Sequence, residues 1–264
     1  MYNFNYHRPS SVADAAKTVS GAEEGKLVAG GMTLIPTLKQ RLARPSDLVD
    51  LGRIAELKGI KKEGNTIVVG AMTKHADVAS SDVVKGAIPA LAALADGIGD
   101  PAVRNRGTIG GSIANNDPAA DYPSAVMALG ATVVTNKRKI AADDFFKGMF
   151  ETALEPGEIV TAVQFPIPEK AAYQKFPNPA SRYAVVGVFV AKGPAGVRVA
   201  VTGAGPVVFR QKEMEAALGK SFVPDAVASI KQPASGLNSD IHASADYRAH
   251  LVTVMAKRAV AAAK

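Results

Sequence analysis

The spacing of apolar positions along the first 57 residues predicts a small β-α-β unit. An alanine-rich stretch predicts a helix over 12–19, with Ser10 or Ser11 as its N-cap. Short apolar runs predict strands at 27–29 and 48–51, and the helix predicted between them, over 33–41, carries Pro36 in its first turn. The pair Gly30-Gly31 falls at the turn from the first of these strands into that helix.

Residues 58–170 follow a different pattern. Apolar and β-branched runs predict strands at 66–69, 131–134 and 159–165, and helices over 88–95 and 122–129. Asp121 is the predicted N-cap of the second helix, and Thr73 that of a short helix ending at residue 78. The stretch 97–116 is rich in glycine and asparagine, which predicts a long functional loop and not core. The region is expected to build a mainly antiparallel sheet.

Prolines mark the start of the third region, residues 171–264. Strands are predicted at 183–191 and 197–202, joined as a hairpin by Gly193-Pro194-Ala195-Gly196. Helices are predicted over 211–218, 225–231 and 247–263. The three regions, 1–57, 58–170 and 171–264, therefore predict an α+β protein that consists of two subdomains and a C-terminal sheet-and-helix domain.

The amino-acid composition excludes several kinds of catalytic and metal-binding site. The 264 residues carry 31 Lys and Arg against 24 Asp and Glu, a net charge of +7, with four His and no Cys. Without cysteine there is no catalytic thiol, disulfide or thiolate metal site, and the scattered histidines show no metal-binding spacing. Redox chemistry would have to come from a bound organic cofactor or a partner chain. The basic residues form no long block, which argues against nucleic-acid binding. No signal peptide or apolar run of membrane-spanning length is visible, which predicts a cytoplasmic protein, with peripheral attachment to the inner face of a membrane left open.

Two glycine-containing segments are the strongest candidates for a binding site. The first glycine loop is Ala29-Gly30-Gly31-Met32-Thr33, and the second glycine segment is Thr108-Ile109-Gly110-Gly111-Ser112. Glycine permits close approach of a ligand to the backbone, and the start of a helix offers free N–H groups to an anion. Taken singly, either segment is more simply interpreted as a tight turn. Together they form a pair that is able to hold a pyrophosphate from both sides.

These segments, with Asn116-Asp117-Pro118-Ala119-Ala120-Asp121 after the second, resemble the FAD-binding medium subunit of the molybdenum hydroxylases, the group of carbon monoxide dehydrogenase and xanthine dehydrogenase. The order and separation of the motifs match, and the resemblance covers the whole chain. It implies a two-subdomain FAD-binding fold of the PCMH or vanillyl-alcohol-oxidase type, followed by a C-terminal α+β flavoprotein domain.

The resemblance also implies a role for individual residues. Backbone N–H groups of the first glycine loop, and of Thr108, Gly111 and Ser112, would contact the FAD pyrophosphate. Asp121 would accept hydrogen bonds from ribityl or ribose hydroxyls. Ile98 and Ile159 would be apolar walls, and Lys175 and Tyr183 would lie near the isoalloxazine ring. Each of these four is also compatible with an ordinary structural or surface position. The full set of expected cofactor-binding residues is Ala29, Gly30, Gly31, Met32, Thr33, Leu34, Ile98, Gly99, Thr108, Gly111, Ser112, Asn115, Asp117, Asp121, Ile159, Lys175 and Tyr183.

The function implied by the resemblance is electron transfer through FAD. A large subunit with a molybdenum cofactor would oxidise the substrate, and a small subunit with 2Fe–2S clusters would deliver electrons to this chain, in a dimer of heterotrimers. The absence of cysteine fits this division of labour. Two alternatives remain open at this point. One is a stand-alone flavin oxidase of the related fold, and the other is a non-enzymatic assembly scaffold that has lost FAD.

Overall fold

A computed structural model describes all 264 residues of the chain. Four sheets are present: one of three strands, one of five, one of four and a small two-stranded ribbon. The strands are β1 Asn5–His7, β2 Gly25–Val28, β3 Asp47–Asp50, β4 Ile60–Glu63, β5 Thr66–Gly70, β6 Thr132–Thr135, β7 Lys139–Ala141, β8 Phe146–Gly148, β9 Glu151–Thr152, β10 Val160–Pro166, β11 Lys170–Pro177, β12 Ala184–Gly193, β13 Gly196–Thr202 and β14 Phe209–Arg210. The α-helices are α1 Val12–Gly21, α2 Leu34–Lys39, α3 His75–Ser80, α4 Asp82–Ala87, α5 Pro89–Asp96, α6 Pro101–Arg104, α7 Ile109–Asn115, α8 Tyr122–Ala128, α9 Ala142–Phe145, α10 Lys212–Lys220 and α11 Ala245–Ala262.

The three-stranded sheet is parallel, in the order β1-β3-β2, and confirms the predicted β-α-β unit. Helix α1 begins at Val12 because the Ser11 hydroxyl accepts a hydrogen bond from the Asp14 N–H at 3.1 Å. Its buried Ala15 packs with Val49 and Ile54. Ile159, from just before β10, belongs to the same cluster, so the core of this unit extends to the next sheet.

The five-stranded sheet is antiparallel, in the order β4-β5-β10-β6-β7, as the sequence predicts. Val163 on the central strand β10 pairs with Val69 on one side and Val133 on the other. Helices α5, α7 and α8 contribute Leu91, Ile113 and other residues to the core over this sheet. This is the largest core of the molecule, with 33 buried residues.

The four-stranded sheet, β11-β12-β13-β14, lies between two cores. On β12, Phe189 and Ala191 pack into the core of the five-stranded sheet, whereas Val188 and Val190 pack on the opposite side with Met255 of α11. Successive side chains of a strand point to opposite faces, so a strand covered on both faces is apolar at every position. This explains the uninterrupted apolar run of β12. The hairpin predicted between β12 and β13 is confirmed by the pairing of Gly193 with Gly196.

Several sequence predictions were wrong. The stretch 97–116 is not a loop: it contains α6 and α7, and Ile109 and Ile113 are fully buried. The N-cap of α3 is Lys74, while the Thr73 hydroxyl bonds to Gly59. The helix predicted over 225–231 is only a short 3₁₀ turn, Pro224–Val227. None of the helices is both long and apolar enough to cross a membrane.

Candidate functional site

The first glycine loop leaves the end of β2 and enters α2 with an unusual number of free backbone donors. No acceptor in the protein takes the N–H groups of residues 29–34, and the first paired amide is that of Ile35, which donates to Gly31 O at 2.9 Å. Helix starts leave such donors unpaired, and here the preceding loop extends the series. Six consecutive amides therefore have no partner within the protein, and those that face the cavity are donors for a ligand with negative charge.

Glycine is required at both positions of this loop, for two different reasons. Gly31 has φ +74°, in the left-handed region that side chains disfavour. A Cβ on Gly30 would lie 2.1 Å from the carbonyl oxygen of Arg106 and 2.8 Å from Cα of Gly107. The first glycine loop consequently lies directly against the backbone that leads into the second glycine segment.

The second glycine segment is the start of helix α7, and most of its backbone donors are already used. Thr108 is the N-cap: its hydroxyl accepts from the Gly111 N–H at 3.2 Å, and its carbonyl accepts from Ser112. The N–H group of Gly111 is therefore engaged by the N-cap, and that of Ser112 by the first turn of the helix. Thr108 N–H has no partner, and neither do the Ser112 hydroxyl and the Asn115 amide side chain, so side chains supply the donors here.

A cavity of about 510 Å³ lies between these segments. Apolar and polar groups both line it, as is typical of small-molecule sites. All the expected cofactor-binding residues except Lys175 line the cavity: Ala29, Gly30, Gly31, Met32, Thr33, Leu34, Ile98, Gly99, Thr108, Gly111, Ser112, Asn115, Asp117, Asp121, Ile159 and Tyr183. Met32 and Tyr183 are 39% and 46% exposed, which places them at its mouth. The Asp117 carboxylate caps its own turn by accepting from the Ala119 N–H at 2.9 Å.

Asp121 occupies the N-cap position of α8 but does not cap it. Its backbone is helical and its side chain makes no cap hydrogen bond, which corrects the sequence prediction. Instead Oδ1 accepts from the Tyr173 hydroxyl and lies 3.0 Å from Lys175 Nζ. Burial raises the pKa of this carboxyl, and the charge of Lys175 and the Tyr173 hydrogen bond oppose that rise. Oδ2 accepts no hydrogen bond from the protein, although Asp121 lines the cavity.

Two titratable residues of the cavity wall are not among the site residues predicted from the sequence. His75 is 5% exposed, its ring centroid is 5.3 Å from that of Tyr122, and a Cβ on Gly107 would come within 2.5 Å of Nε2. Burial, with a smaller contribution from the charge of Arg104, lowers the pKa of His75 to about 4, so the ring is neutral at neutral pH. Its Nδ1 has no hydrogen-bond partner. The sequence around His75, with Lys74 before it and Asp77 two residues after it, gives no signal for such a buried position.

Glu158 is the second of these residues, and its carboxylate is held rigidly. Arg138 donates to both carboxylate oxygens, each at 3.0 Å, and the Thr135 hydroxyl and the Glu155 N–H donate at 2.7 and 2.9 Å. The Arg138 hydrogen bonds are the main reason that the pKa of Glu158 falls to about 2. The next residue, Ile159, is 1% exposed, so this network fixes an apolar part of the wall.

Comparisons with known proteins identify the family of the chain. Residues 2–168 match the family model described as the FAD binding domain in molybdopterin dehydrogenase, and residues 171–263 match the CO dehydrogenase flavoprotein C-terminal domain. The carbon monoxide dehydrogenase medium chain of Hydrogenophaga pseudoflava is 37% identical, over 98% of this chain and 96% of the relative. The chain belongs to the FAD-binding medium subunits of the molybdenum hydroxylases.

Other members of the medium-subunit family act in different reactions. The glyceraldehyde dehydrogenase medium chain of Sulfolobus acidocaldarius is 36% identical, over 97% of this chain and 96% of the relative. Among solved structures, the carbon monoxide dehydrogenase of Hydrogenophaga pseudoflava that lacks the Mo-pyranopterin moiety of the molybdenum cofactor matches with a TM-score of 0.90 at 38% identity, over 99% of this chain and 97% of that one. Quinoline 2-oxidoreductase from Pseudomonas putida 86 matches with a TM-score of 0.89 at 30% identity, over 98% and 96%. As a medium subunit, the chain is an FAD-dependent oxidoreductase subunit of a multi-subunit enzyme.

The residues present fit FAD. The first glycine loop supplies unpaired donors for a pyrophosphate and close backbone approach that a Cβ would obstruct. Asp121 Oδ2 is a free acceptor for hydroxyl groups, and the apolar side chains of Ile98 and Ile159 suit an aromatic ring system.

Proposed function

We propose that the chain binds FAD in an extended form in this cavity, with the pyrophosphate on the first glycine loop. The six unpaired N–H groups of residues 29–34 carry this proposal. Ser112 and Asn115 contribute polar side chains from the second glycine segment and the helix that it begins. We place the subdomain boundaries at 57/58 and 170/171; the second falls one residue inside β11, which begins at Lys170.

The two ends of the cofactor are held by different groups. Ile98 and Ile159 form apolar walls, and Gly99, at φ +50°, lets the chain turn beside Ile98. Asp121 accepts hydrogen bonds from ribityl or ribose hydroxyls through Oδ2. Tyr183 stands at the cavity mouth, where its ring covers part of the isoalloxazine. Burial and the nearby Asp117 and Asp121 raise the pKa of Tyr183, so its hydroxyl stays protonated and can donate.

The chain then works as an electron-transfer subunit. Bound FAD accepts electrons singly or in pairs and passes them on, which is the chemistry that flavin supplies. The partners are a large subunit with the molybdenum cofactor and a small subunit with 2Fe–2S clusters, in a dimer of heterotrimers. The relatives named above as medium chains support this assignment. This chain positions the flavin and shields it, and the electrons go on to an external acceptor.

The test is purification of the full chain from its source with an affinity tag, followed by quantitation of flavin, molybdenum and iron. We expect FAD, molybdenum and iron together, in constant proportions. A yellow protein that lacks molybdenum and iron and is reduced directly by a small organic substrate would show a stand-alone oxidase. A colourless protein that binds no FAD after reconstitution would contradict the cofactor site as well.

A further inference from the structure

Lys175 lies behind the cavity wall and does not line it. Its side chain is 10% exposed, and its ammonium group donates to Gly97 O and Arg182 O, each at 2.9 Å, and forms an ion pair with Asp121 Oδ1 at 3.0 Å. Backbone carbonyls take two of the three donors of the ammonium group, and the group lies against Asp121 and outside the cavity lining. A direct contact between Lys175 and FAD is therefore not what this arrangement provides.

The three acceptors belong to three different parts of the cavity wall. Gly97 immediately precedes Ile98 and Gly99, and Arg182 immediately precedes Tyr183. Arg182 itself has φ +62°, an unfavourable conformation that the surrounding contacts must hold in place. Lys175, from β11, thus joins the C-terminal sheet to two segments of the FAD-binding region, at Gly97 and at Asp121.

The two carboxylate oxygens of Asp121 differ in their partners. Lys175 and Tyr173 both engage Oδ1, and Oδ2 has no donor within the protein. Asp121 is 4% exposed, so the carboxylate has no freedom to turn towards bulk water. It also gives up the capping bond that its place at the start of α8 would allow. The side chain is held so that one oxygen is saturated and the other is available.

We propose that Lys175 is a positioning residue that acts through Asp121: from the C-terminal sheet, it fixes the carboxylate so that Oδ2 meets the hydroxyls of FAD. This inference rests on the proposed FAD site. It assigns to Lys175 an indirect role in place of the direct flavin contact that the family resemblance implies. It also makes the C-terminal domain a part of the cofactor site.

The proposed role of Lys175 predicts a change in the pH dependence of FAD affinity, because charged and titratable groups surround Asp121. Tyr173 and Lys175 of β11 face the carboxyl, and Tyr122 adjoins it in sequence. Tyr183 lies close enough to feel the charges of both Asp121 and Asp117. Burial already raises the pKa of Asp121, and Lys175 is the cation that limits this rise. Removal of the cation therefore raises the pKa further, so the carboxylate is protonated at a higher pH.

A double-mutant cycle on the full apo-chain, titrated with FAD and followed by flavin fluorescence, tests the proposal. We expect Lys175→Met to weaken FAD binding about tenfold or more in the parent, and to cost less than about twofold in a chain that already carries Asp121→Asn. In Lys175→Met, the pH at which affinity is lost on acidification moves upward. Lys192→Met is the matched control, because that lysine pairs with Glu169 at 3.1 Å on an exposed surface of the same sheet. It should leave affinity within about twofold of the parent.

An equal loss of affinity with and without the Asp121→Asn substitution, or an unshifted pH profile, would overturn the inference and leave Lys175 a purely structural residue. If Lys175→Met does not fold, Lys175→Gln, which keeps N–H donors without the charge, enters the same cycle with the same expectations. FAD binding by the parent chain distinguishes failure of the proposed function from failure of this inference. If the parent binds no FAD, the proposed function fails; if the parent binds and Lys175→Met binds equally well, only this inference fails.

Discussion

Gly30→Ala is the smallest substitution that should push the first glycine loop away from the backbone of residues 106–107. The added Cβ would meet the Arg106 carbonyl oxygen at 2.1 Å and its carbonyl carbon at 2.7 Å. Both belong to backbone, which cannot turn aside as a flexible side chain does. Because ordinary contacts of this kind begin near 3.4 Å, the loop and residues 106–107 must move apart by roughly 1 Å.

The consequences for stability and for FAD affinity differ in size. Overpacking of this kind costs about 1–3 kcal/mol, which lowers the melting temperature by roughly 2–12 °C in a protein of this length. A 1 Å shift of the loop takes its amides out of hydrogen-bonding geometry with a phosphate. If two charge-assisted hydrogen bonds of about 1.5–3 kcal/mol each are lost, FAD affinity falls by about 140- to 20,000-fold.

The assay is a flavin fluorescence titration of apo-protein, with thermal unfolding of the same samples. Gly219→Ala is the matched control, because it makes the same chemical change in helix α10, where a Cβ has nothing within 4 Å. It should raise stability by up to about 1 kcal/mol and leave FAD affinity unchanged. FAD binding by Gly30→Ala within threefold of the parent would refute the reasoning, whatever its melting temperature.

Three further predictions follow from other contacts. Asn116→Ala should lower the free energy of unfolding in urea by about 2–3 kcal/mol, because Asn116 is buried at φ +45° and its side-chain amide donates to Gly148 O and Glu151 O. Asn116→Gly should lower the free energy of unfolding by less, because glycine adopts that φ without strain. The pKa of Glu158 is about 2 in the folded chain against an ordinary 4.5, so its contribution is complete above pH 4.5 and lost as the pH falls towards 2; the difference in unfolding free energy between parent and Glu158→Gln should shrink over that interval and stay constant above it. Acid precipitation should release all the flavin, because no Cys is present and the one histidine of the cavity wall, His75, is only 5% exposed; flavin retained in the pellet would indicate a covalent bond.

The sequence predicts the first glycine loop well because glycine, strand and helix signals agree there. The same kind of signal misleads over 97–116, where the glycines suggested a loop. Gly110 is instead a helical residue whose Cβ would lie 2.5 Å from Cβ of Ala71, so its small size serves packing between α7 and the adjoining backbone. Composition cannot distinguish a glycine that allows a turn from one that allows close packing.

Lys175 and Asp121 show a second limit of prediction from sequence. The two residues are far apart in the chain, and the contact between them depends on how the C-terminal sheet packs on the FAD-binding region. Strand β11 itself was missed, because its lysines and glutamine interrupt the apolar pattern. The expected capping by Asp121 was plausible locally, but a tertiary contact with a buried lysine and tyrosine displaced it.

The six unpaired amides of the first glycine loop also bear on how much of this protein a cell retains. Without flavin, those donors are satisfied only by water, so a ligand that binds them stabilises the folded chain by mass action. At a free FAD concentration 100 times the dissociation constant, the gain is about 2.7 kcal/mol. A change of that size alters the fraction of chain exposed to proteases several-fold or more. If FAD binds these amides as proposed, we expect flavin supply to prolong the lifetime of the newly made subunit, and riboflavin starvation to deplete the protein before it depletes the mRNA.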